Sequence, residues 1–388
     1  MSAGGFGVYV HWPYCLAKCP YCDFNSHVAE AIPEARWRAA IVRELEHYYI
    51  ETRALGGAET IFFGGGTPSL MAPDSVAQVI QAVRRLWGLA SGAEITLEAN
   101  PTPGSKSPGA ARLGAIRQAG VNRISMGVQA LDDEALRFLG RGHTATEAIA
   151  AFEAAAGIFP QTSFDLIYAR PGQTVAAWRS ELARALALAR GHLSLYQLTI
   201  EPGTRFHRDG VRAAAEETAA DLYEATQEMT AAAGLPAYEI SSHAKLGAEC
   251  RHNLIYWRGG NYVGVGPGAH GRIAHGDGAV FATHQIHDPA NWLAAVEKSG
   301  HGTGKRIPLA PEKRREELLL SGLRLAEGID RARFRAQTGA DIADAVDRAA
   351  LRRLEDGGFM VLDARALRAT AAGLQRLNAV LASLIPAR

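Results

Sequence analysis

Three of the four cysteines, Cys15, Cys19 and Cys22, fall within eight residues, and the fourth, Cys250, stands alone. A disulfide framework would spread its cysteines along the chain and is not needed at this length. The cluster instead suggests thiolates held on one metal centre in a reducing compartment. Soft thiolates suit zinc or an iron–sulfur cluster. Three thiolates can carry a [4Fe–4S] cluster and leave one iron open to a small molecule. A structural zinc wants a fourth ligand, which Asp23, His27 or His11 could supply, so spacing alone leaves both metals open. Pro20 disfavours a helix through the motif, so the backbone between the cysteines is expected to wrap as a loop.

The elements that must position this loop are legible as a repeat. Strand candidates are Val8–His11, Thr60–Phe63, Ile95–Glu98, Arg123–Gly127, Ser163–Ile167 and Leu193–Thr199. Helical stretches follow at Glu34–Glu51, Asp74–Trp87, Gly109–Ala119, Thr146–Ala156, Thr174–Ala189 and Ala214–Ala233. In the first of these Trp37, Ile41, Leu45 and Tyr48 share one helical face. The alternation reads as βα units on a parallel sheet, open or closed into a barrel. Polar and glycine residues follow the strands: Gly64, Gly65 and Gly66, then Asn100, then Gln129. Parallel α/β folds gather their sites at the carboxyl ends of strands. The glycine-rich stretch Gly259–Gly278 is expected to end the βα region. Beyond Pro308 and Pro311 a helix is expected at Glu312–Leu325, then small helices with a hairpin near Gly357, Gly358 and Leu362. The implied division is a core over 1–270, a connecting segment over 271–309 and a mainly helical module over 310–388.

The chain has 388 residues with 41 basic and 40 acidic side chains. A net charge of +1 argues against a general nucleic-acid binder or membrane-surface protein. No apolar run approaches transmembrane length. Residues 1–10 lack the basic-then-apolar pattern of a secretory signal, so a cytoplasmic location is expected.

Tyr9-Val10-His11-Trp12-Pro13-Tyr14-Cys15, with Cys19, Cys22 and Gly64-Gly65-Gly66-Thr67-Pro68, resembles the radical S-adenosylmethionine (radical SAM) superfamily. Glu98-x-Asn100-Pro101 and Ser125-Met126-Gly127-Val128-Gln129 narrow the resemblance to one branch. That branch contains oxygen-independent coproporphyrinogen III oxidase and the haem chaperone HemW. The resemblance implies a partial open (β/α)6 TIM-type barrel with a small C-terminal module. It implies a [4Fe–4S] cluster on Cys15, Cys19 and Cys22, with S-adenosylmethionine on the open iron. Cleavage of the cofactor's C5′–S bond would give methionine and a 5′-deoxyadenosyl radical. By motif position Tyr9 and Tyr21 would lie near the adenosine part. Gly65, Gly66 and Thr67 would meet the methionine part through backbone groups, and Glu98 a cationic or hydroxyl-bearing part. Gln129, Arg141 and Asp165 would line the same rim. Read singly, the glycines could be a strand-ending turn, Glu98 an ion-paired strand end and Arg141 a surface residue.

Two features separate the sub-branches. The oxidase carries a fourth cysteine two positions after the third; here that position is Phe24, which argues against decarboxylating oxidase activity. His252-Asn253-Leu254-Ile255-Tyr256-Trp257 resembles the HNxxYW motif of the chaperone branch. Its implied cargo is haem, with His252 and Cys250 as candidate iron ligands and Tyr256 and Trp257 as flat apolar surface. The plainer reading is that this motif braces the barrel against the C-terminal module. Implied partners are a haem-acceptor protein, through which peripheral membrane association is compatible, and an electron donor such as a flavodoxin or ferredoxin. Arg170, where the branch has a leucine, could extend a propionate-binding surface or face solvent.

Overall fold

The computed structural model describes residues 4–29, 31–101, 109–276 and 278–385. All six strand candidates form: β1 Phe6–Trp12, β2 Ala58–Gly65, β3 Leu89–Ala99, β4 Arg123–Gln129, β5 Gln161–Tyr168 and β6 His192–Gln197. They are parallel neighbours in that order. The six expected helices form to within two residues at each end, from Glu34–Thr52 to Glu216–Ala232, and an unexpected short helix, Asp133–Phe138, follows β4. Short runs of alternating or continuous apolar residues become strands because both faces are covered. The longer Ala- and Leu-rich stretches supply the covering helices.

The sheet is larger than the six units. At one edge β7, Ser242–Ala244, pairs antiparallel with β6. At the other, β8 (Asn261–Val265) lies parallel to β1. Antiparallel strands β9 (His270–Ala274), β10 (Val280–Gln285) and β11 (Thr303–Pro308) follow. The complete order is β11-β10-β9-β8-β1-β2-β3-β4-β5-β6-β7, an open sheet of eleven strands. The glycine-rich stretch expected to end the βα region therefore carries two strands itself. Glycine hides the strand signal here because the chains approach too closely for side chains. A Cβ on Gly264 would collide with the His270 carbonyl oxygen.

The expected apolar face of the helix Glu34–Thr52 is buried throughout: Trp37, Ile41, Leu45 and Tyr48. Trp37 stacks on Trp292, with ring centroids 5.2 Å apart, and meets Trp12 edge-on at 5.9 Å. The same helix buries Glu44 completely. Its carboxylate accepts hydrogen bonds from the backbone N–H of Gly266 (2.8 Å) and Gly302 (2.6 Å) and from Trp292 Nε1 (3.1 Å). One side chain thus ties the helix to the loops flanking β9–β11.

Arg170 neither extends a ligand surface nor faces solvent. It is buried, pairs with Glu181 at 2.6 Å and donates to the Ile167 carbonyl, pinning the helix Val175–Leu188 to the end of β5. The C-terminal part has its own core, built around Leu319, Leu323, Phe334, Leu367 and Leu384, and a three-stranded sheet among short helices. Its hairpin, Met360–Leu362 with Ala366–Ala369, follows Gly357 and Gly358 as expected. Gln337 and Arg314 of this part donate to the Gly259 carbonyl, joining it to the main sheet.

Burial raises the Glu44 pKa from 4.5 to about 7, against the opposing pull of its three donors. The fold therefore favours the protonated acid. That contribution to stability is complete below about pH 4.5 and is lost as pH rises through about 7. Glu44→Ala should cost about 1–3 kcal/mol at pH 5, from orphaned donors. The gap to the parent should narrow toward pH 8, as measured by urea denaturation at each pH.

Candidate active site

The cysteine loop leaves β1 at Trp12 and runs without helix to His27, as Pro20 led us to expect. A two-residue strand pair, Tyr14↔His27 and Cys15↔Val28, closes its base. Asn25 anchors it. Its Nδ2 donates to the carbonyls of Pro267 (2.9 Å) and His287 (2.8 Å), and its own carbonyl accepts from His11 Nε2 at 2.9 Å. His11 is buried and its pKa falls to about 4, chiefly by desolvation, so the ring is neutral. Its Nδ1 accepts from the Tyr9 hydroxyl at 2.9 Å.

The loop faces a cleft of about 440 Å³ over the carboxyl ends of the strands. Cys15, Cys19, Cys22, Tyr21, Gly65, Gly66, Thr67, Glu98, Gln129, Arg141 and Asp165 all line it. Eleven residues spread over some 150 positions meet there because most follow or end a parallel strand; Asp165 points up from within β5, and Arg141 sits beyond the helix Asp133–Phe138. Tyr9 does not line the cleft. It lies behind Gly64, packed against Phe62 and His252.

Each sulfur has a polar side chain beside it. Thr67 Oγ1 donates to Cys15 Sγ at 3.3 Å, and Arg141 Nη1 to Cys19 Sγ at 3.3 Å. The Ser26 hydroxyl stands 3.6 Å from Cys22 Sγ. Asn100 bridges the first two donors: its Nδ2 donates to Thr67 Oγ1 at 2.9 Å, and its Oδ1 accepts from Arg141 Nη2 at 2.6 Å. A continuous chain thus runs Cys15–Thr67–Asn100–Arg141–Cys19. Ser26 was absent from the sequence-based site, and Asn100 was expected on the rim with no role given. Asn100 sits inside a motif the sequence singled out, but its role depends on partners distant in the chain. Burial raises the pKa of Cys15 and Cys22, opposed by the Thr67 and Ser26 hydroxyls respectively. Such thiols are released as thiolates when a metal binds. Three thiols on one cleft wall, each with a polar neighbour and one beside a guanidinium, suit an anionic cluster. Among the described residues no three His, Cys, Asp or Glu side chains converge on a single-ion position.

The glycines have protein-internal reasons to be glycine. Gly65 has φ +111° and a Cβ there would lie 2.6 Å from the His11 ring; at Gly66 it would lie 2.8 Å from the Tyr14 carbonyl oxygen. Their N–H groups are engaged: Gly65 with Glu98 Oε2 (3.2 Å), Gly66 with the Trp12 carbonyl (2.7 Å) and Thr67 with that of Tyr14 (2.8 Å). Toward a ligand the backbone of these residues can only accept hydrogen bonds. Gln129 ends β4 with φ +73°, beside a register shift against β5. Backbone strain of this kind is tolerated where a side chain must be re-aimed.

Two carboxylates stand on the cleft floor. Burial, reinforced by Asp165, raises the Glu98 pKa to about 8. Burial raises Asp165 to about 6, opposed by hydrogen bonds from Ser194 and Ser125 and by the charges of Arg123 and Arg141. The Ser125 hydroxyl donates to Asp165 at 3.3 Å. Two acids held partly protonated by a shared dry wall are primed to ionise when a cation arrives.

His252, Cys250, Tyr256 and Trp257 lie elsewhere. None lines the cleft; they sit level with the amino-terminal halves of β1–β3. His252 is 1% exposed and both ring nitrogens are engaged, with Thr60 Oγ1 and the Tyr256 hydroxyl, each at 2.6 Å. Cys250 is buried, donates to Glu94 Oε1 at 3.6 Å and has its pKa pushed up to about 12, chiefly by burial. Trp257 packs under Arg324 of the C-terminal part. The motif offers no free ligand atom to an iron here. It closes the barrel floor and braces the C-terminal part, which is the plainer of its two sequence readings.

A cationic ligand in the cleft should select ionised Glu98. Its affinity should rise with pH up to about 8, by at most about tenfold per unit. Glu98→Gln should flatten that profile. Calorimetric titration with S-adenosylmethionine between pH 6 and 9 checks both.

Comparison with known proteins accords with this geometry. The family model for the radical SAM superfamily matches residues 9–184, and that for the HemN C-terminal domain matches 309–376. "Radical S-adenosyl methionine domain-containing protein 1, mitochondrial" of Bos taurus is 40% identical, over 97% of this chain and 87% of that protein. "Heme chaperone HemW" of Escherichia coli K12 is 36% identical, over 86% of each. The counterpart from Bacillus subtilis is 32% identical over 91% of this chain and 92% of its own length. The solved coproporphyrinogen III oxidase (HemN) of Escherichia coli superposes with a TM-score of 0.80 at 20% identity, covering 98% of this chain and 89% of the other, a likeness of fold. The chain belongs to the radical SAM superfamily, in the HemN-like branch close to HemW.

Proposed function

We propose that this protein is a haem chaperone. It would carry a [4Fe–4S] cluster on Cys15, Cys19 and Cys22, bind S-adenosylmethionine in the adjoining cleft, hold haem and pass it to an acceptor protein. The observation that carries the cofactor part is the cleft itself, with three thiols on one wall and Glu98 and Asp165 on the floor. When bound, the cluster would supply the electron that breaks the C5′–S bond of S-adenosylmethionine. The chain's own residues hold and orient. Glu98 and Asp165 offer negative charge to a sulfonium or ammonium group, and the engaged backbone of Gly65–Thr67 offers acceptors to the same groups. Arg141 sets a positive charge beside Cys19. The cargo part is supported by the relatives named as haem chaperones.

Phe24 supports the chaperone over the oxidase reading. It lines the cleft mouth, 65% exposed, where the oxidase pattern has a cysteine. Anaerobically reconstituted protein given coproporphyrinogen III, S-adenosylmethionine and a reductant should form no protoporphyrinogen IX, while taking up haem stoichiometrically. Product formation would overturn the assignment.

Hydrogen bonds and positive charge near cluster sulfurs favour the reduced, more negative state. Arg141→Met should therefore lower the cluster's midpoint potential, on the order of tens of millivolts. Arg141→Lys, which keeps the charge, should lie between it and the parent. Potentiometric titration followed by electron paramagnetic resonance reads the order directly.

A further inference from the structure

The sheet ends on the exposed edge strand β11. Between this edge and the last turns of the helix Glu34–Thr52 runs a second groove of about 450 Å³. Its walls include His47, Ile50 and Glu51 from the helix, and His301, Lys305 and Arg306 from the strand and its approach. None of these lines the cysteine cleft.

The groove combines three chemistries. The first is imidazole: the rings of His47 and His301 stack, with centroids 4.1 Å apart and planes 22° from parallel. His301 Nδ1 accepts from the Thr303 N–H at 3.3 Å, so that nitrogen is engaged. No described residue hydrogen-bonds either ring nitrogen of His47. Partial burial, with His301 and Arg306 nearby, lowers the His47 pKa against the pull of Glu51, leaving a neutral ring with a lone pair. The second is exposed apolar surface: Ile50, on the groove wall, is 71% exposed. The third is cationic. Arg306 is held by Glu51 at 2.7 Å, while Lys305 stands exposed on the rim.

We infer that this groove is a haem-docking site, with His47 as axial ligand, Ile50 as apolar wall and Lys305 receiving a propionate carboxylate. A free imidazole, a partly apolar groove of ligand size and a rim cation are what a metallated dicarboxylate macrocycle requires together. Neutral histidine is an ordinary haem ligand. Arg306 neutralises Glu51, which would otherwise repel the propionates. The inference rests on the reading that haem is the cargo. It locates that cargo away from His252 and Cys250, whose atoms are already engaged, and away from the cofactor cleft, so both ligands can be held at once.

Haemin titration of the full chain, with cluster and S-adenosylmethionine loaded, tests it through the Soret band and the dissociation constant. His47→Ala should shift the Soret band and weaken binding about tenfold or more. Lys305→Glu, an exposed substitution that leaves the core untouched, should weaken binding several-fold without moving the band. S-adenosylmethionine binding, measured alongside, should match the parent in both variants and so report an intact fold. Parental Soret position and affinity in His47→Ala would overturn the site while leaving the chaperone reading standing. No haemin uptake by the parent chain would overturn that reading, and the groove with it.

Discussion

Three thiols on a loop with little regular structure can serve one centre only if something else holds that loop still. Here two sets of hydrogen bonds do so. From below, Tyr9 and His11 on β1 reach the backbone of Asn25, whose side chain clamps the loops near Pro267 and His287. From the side, Thr67, Asn100 and Arg141 link Cys15 to Cys19 across the ends of β2 and β3 and the segment after β4. Each link is buried or half-buried, where a hydrogen bond is strong and a missing partner is costly. The sulfurs are therefore placed by the sheet rather than by their own loop.

The same economy governs the rest of the cleft. Glu98 is both a cleft carboxylate and the acceptor for the Gly65 N–H, so the glycine turn and the acid fix each other. Gly65 and Gly66 lack side chains first because His11 and Tyr14 occupy the space. Ligand recognition and internal packing thus draw on the same atoms, and substitutions there disturb both.

The fold also separates tasks by height in the barrel. Cofactor chemistry gathers at the carboxyl ends of the strands. The His252 motif sits at the opposite end, where Thr60 and Tyr256 engage the His252 ring and Glu94 accepts from Cys250. A buried histidine with both nitrogens bonded contributes by organising its neighbours. Glu44 does the corresponding work on the outer flank, where it holds the loops around β9–β11 to the first helix.

Much of this was legible in the linear chain. The six βα units and the meeting of the cysteine loop with Gly65, Gly66, Asn100 and Gln129 follow from periodicity, because a parallel sheet delivers its strand ends to one rim, whereas Thr67, Glu98, Arg141 and Asp165 were expected there from the family resemblance. What the chain did not disclose depended on distant partners. Strands β8 and β9 were masked by glycines whose purpose is close approach. Arg170 found Glu181 rather than solvent, and Tyr9, on the same face of β1 as His11 but two residues nearer the strand's amino end, packs beneath the cleft rather than lining it. The bridging place of Asn100, the engaged ring of His252 and the pairing of His47 with His301, more than 250 residues away, were decided only when the chain closed on itself. Residue type and spacing determine which chemistry is available; which lone pairs and protons remain free is settled by tertiary contacts.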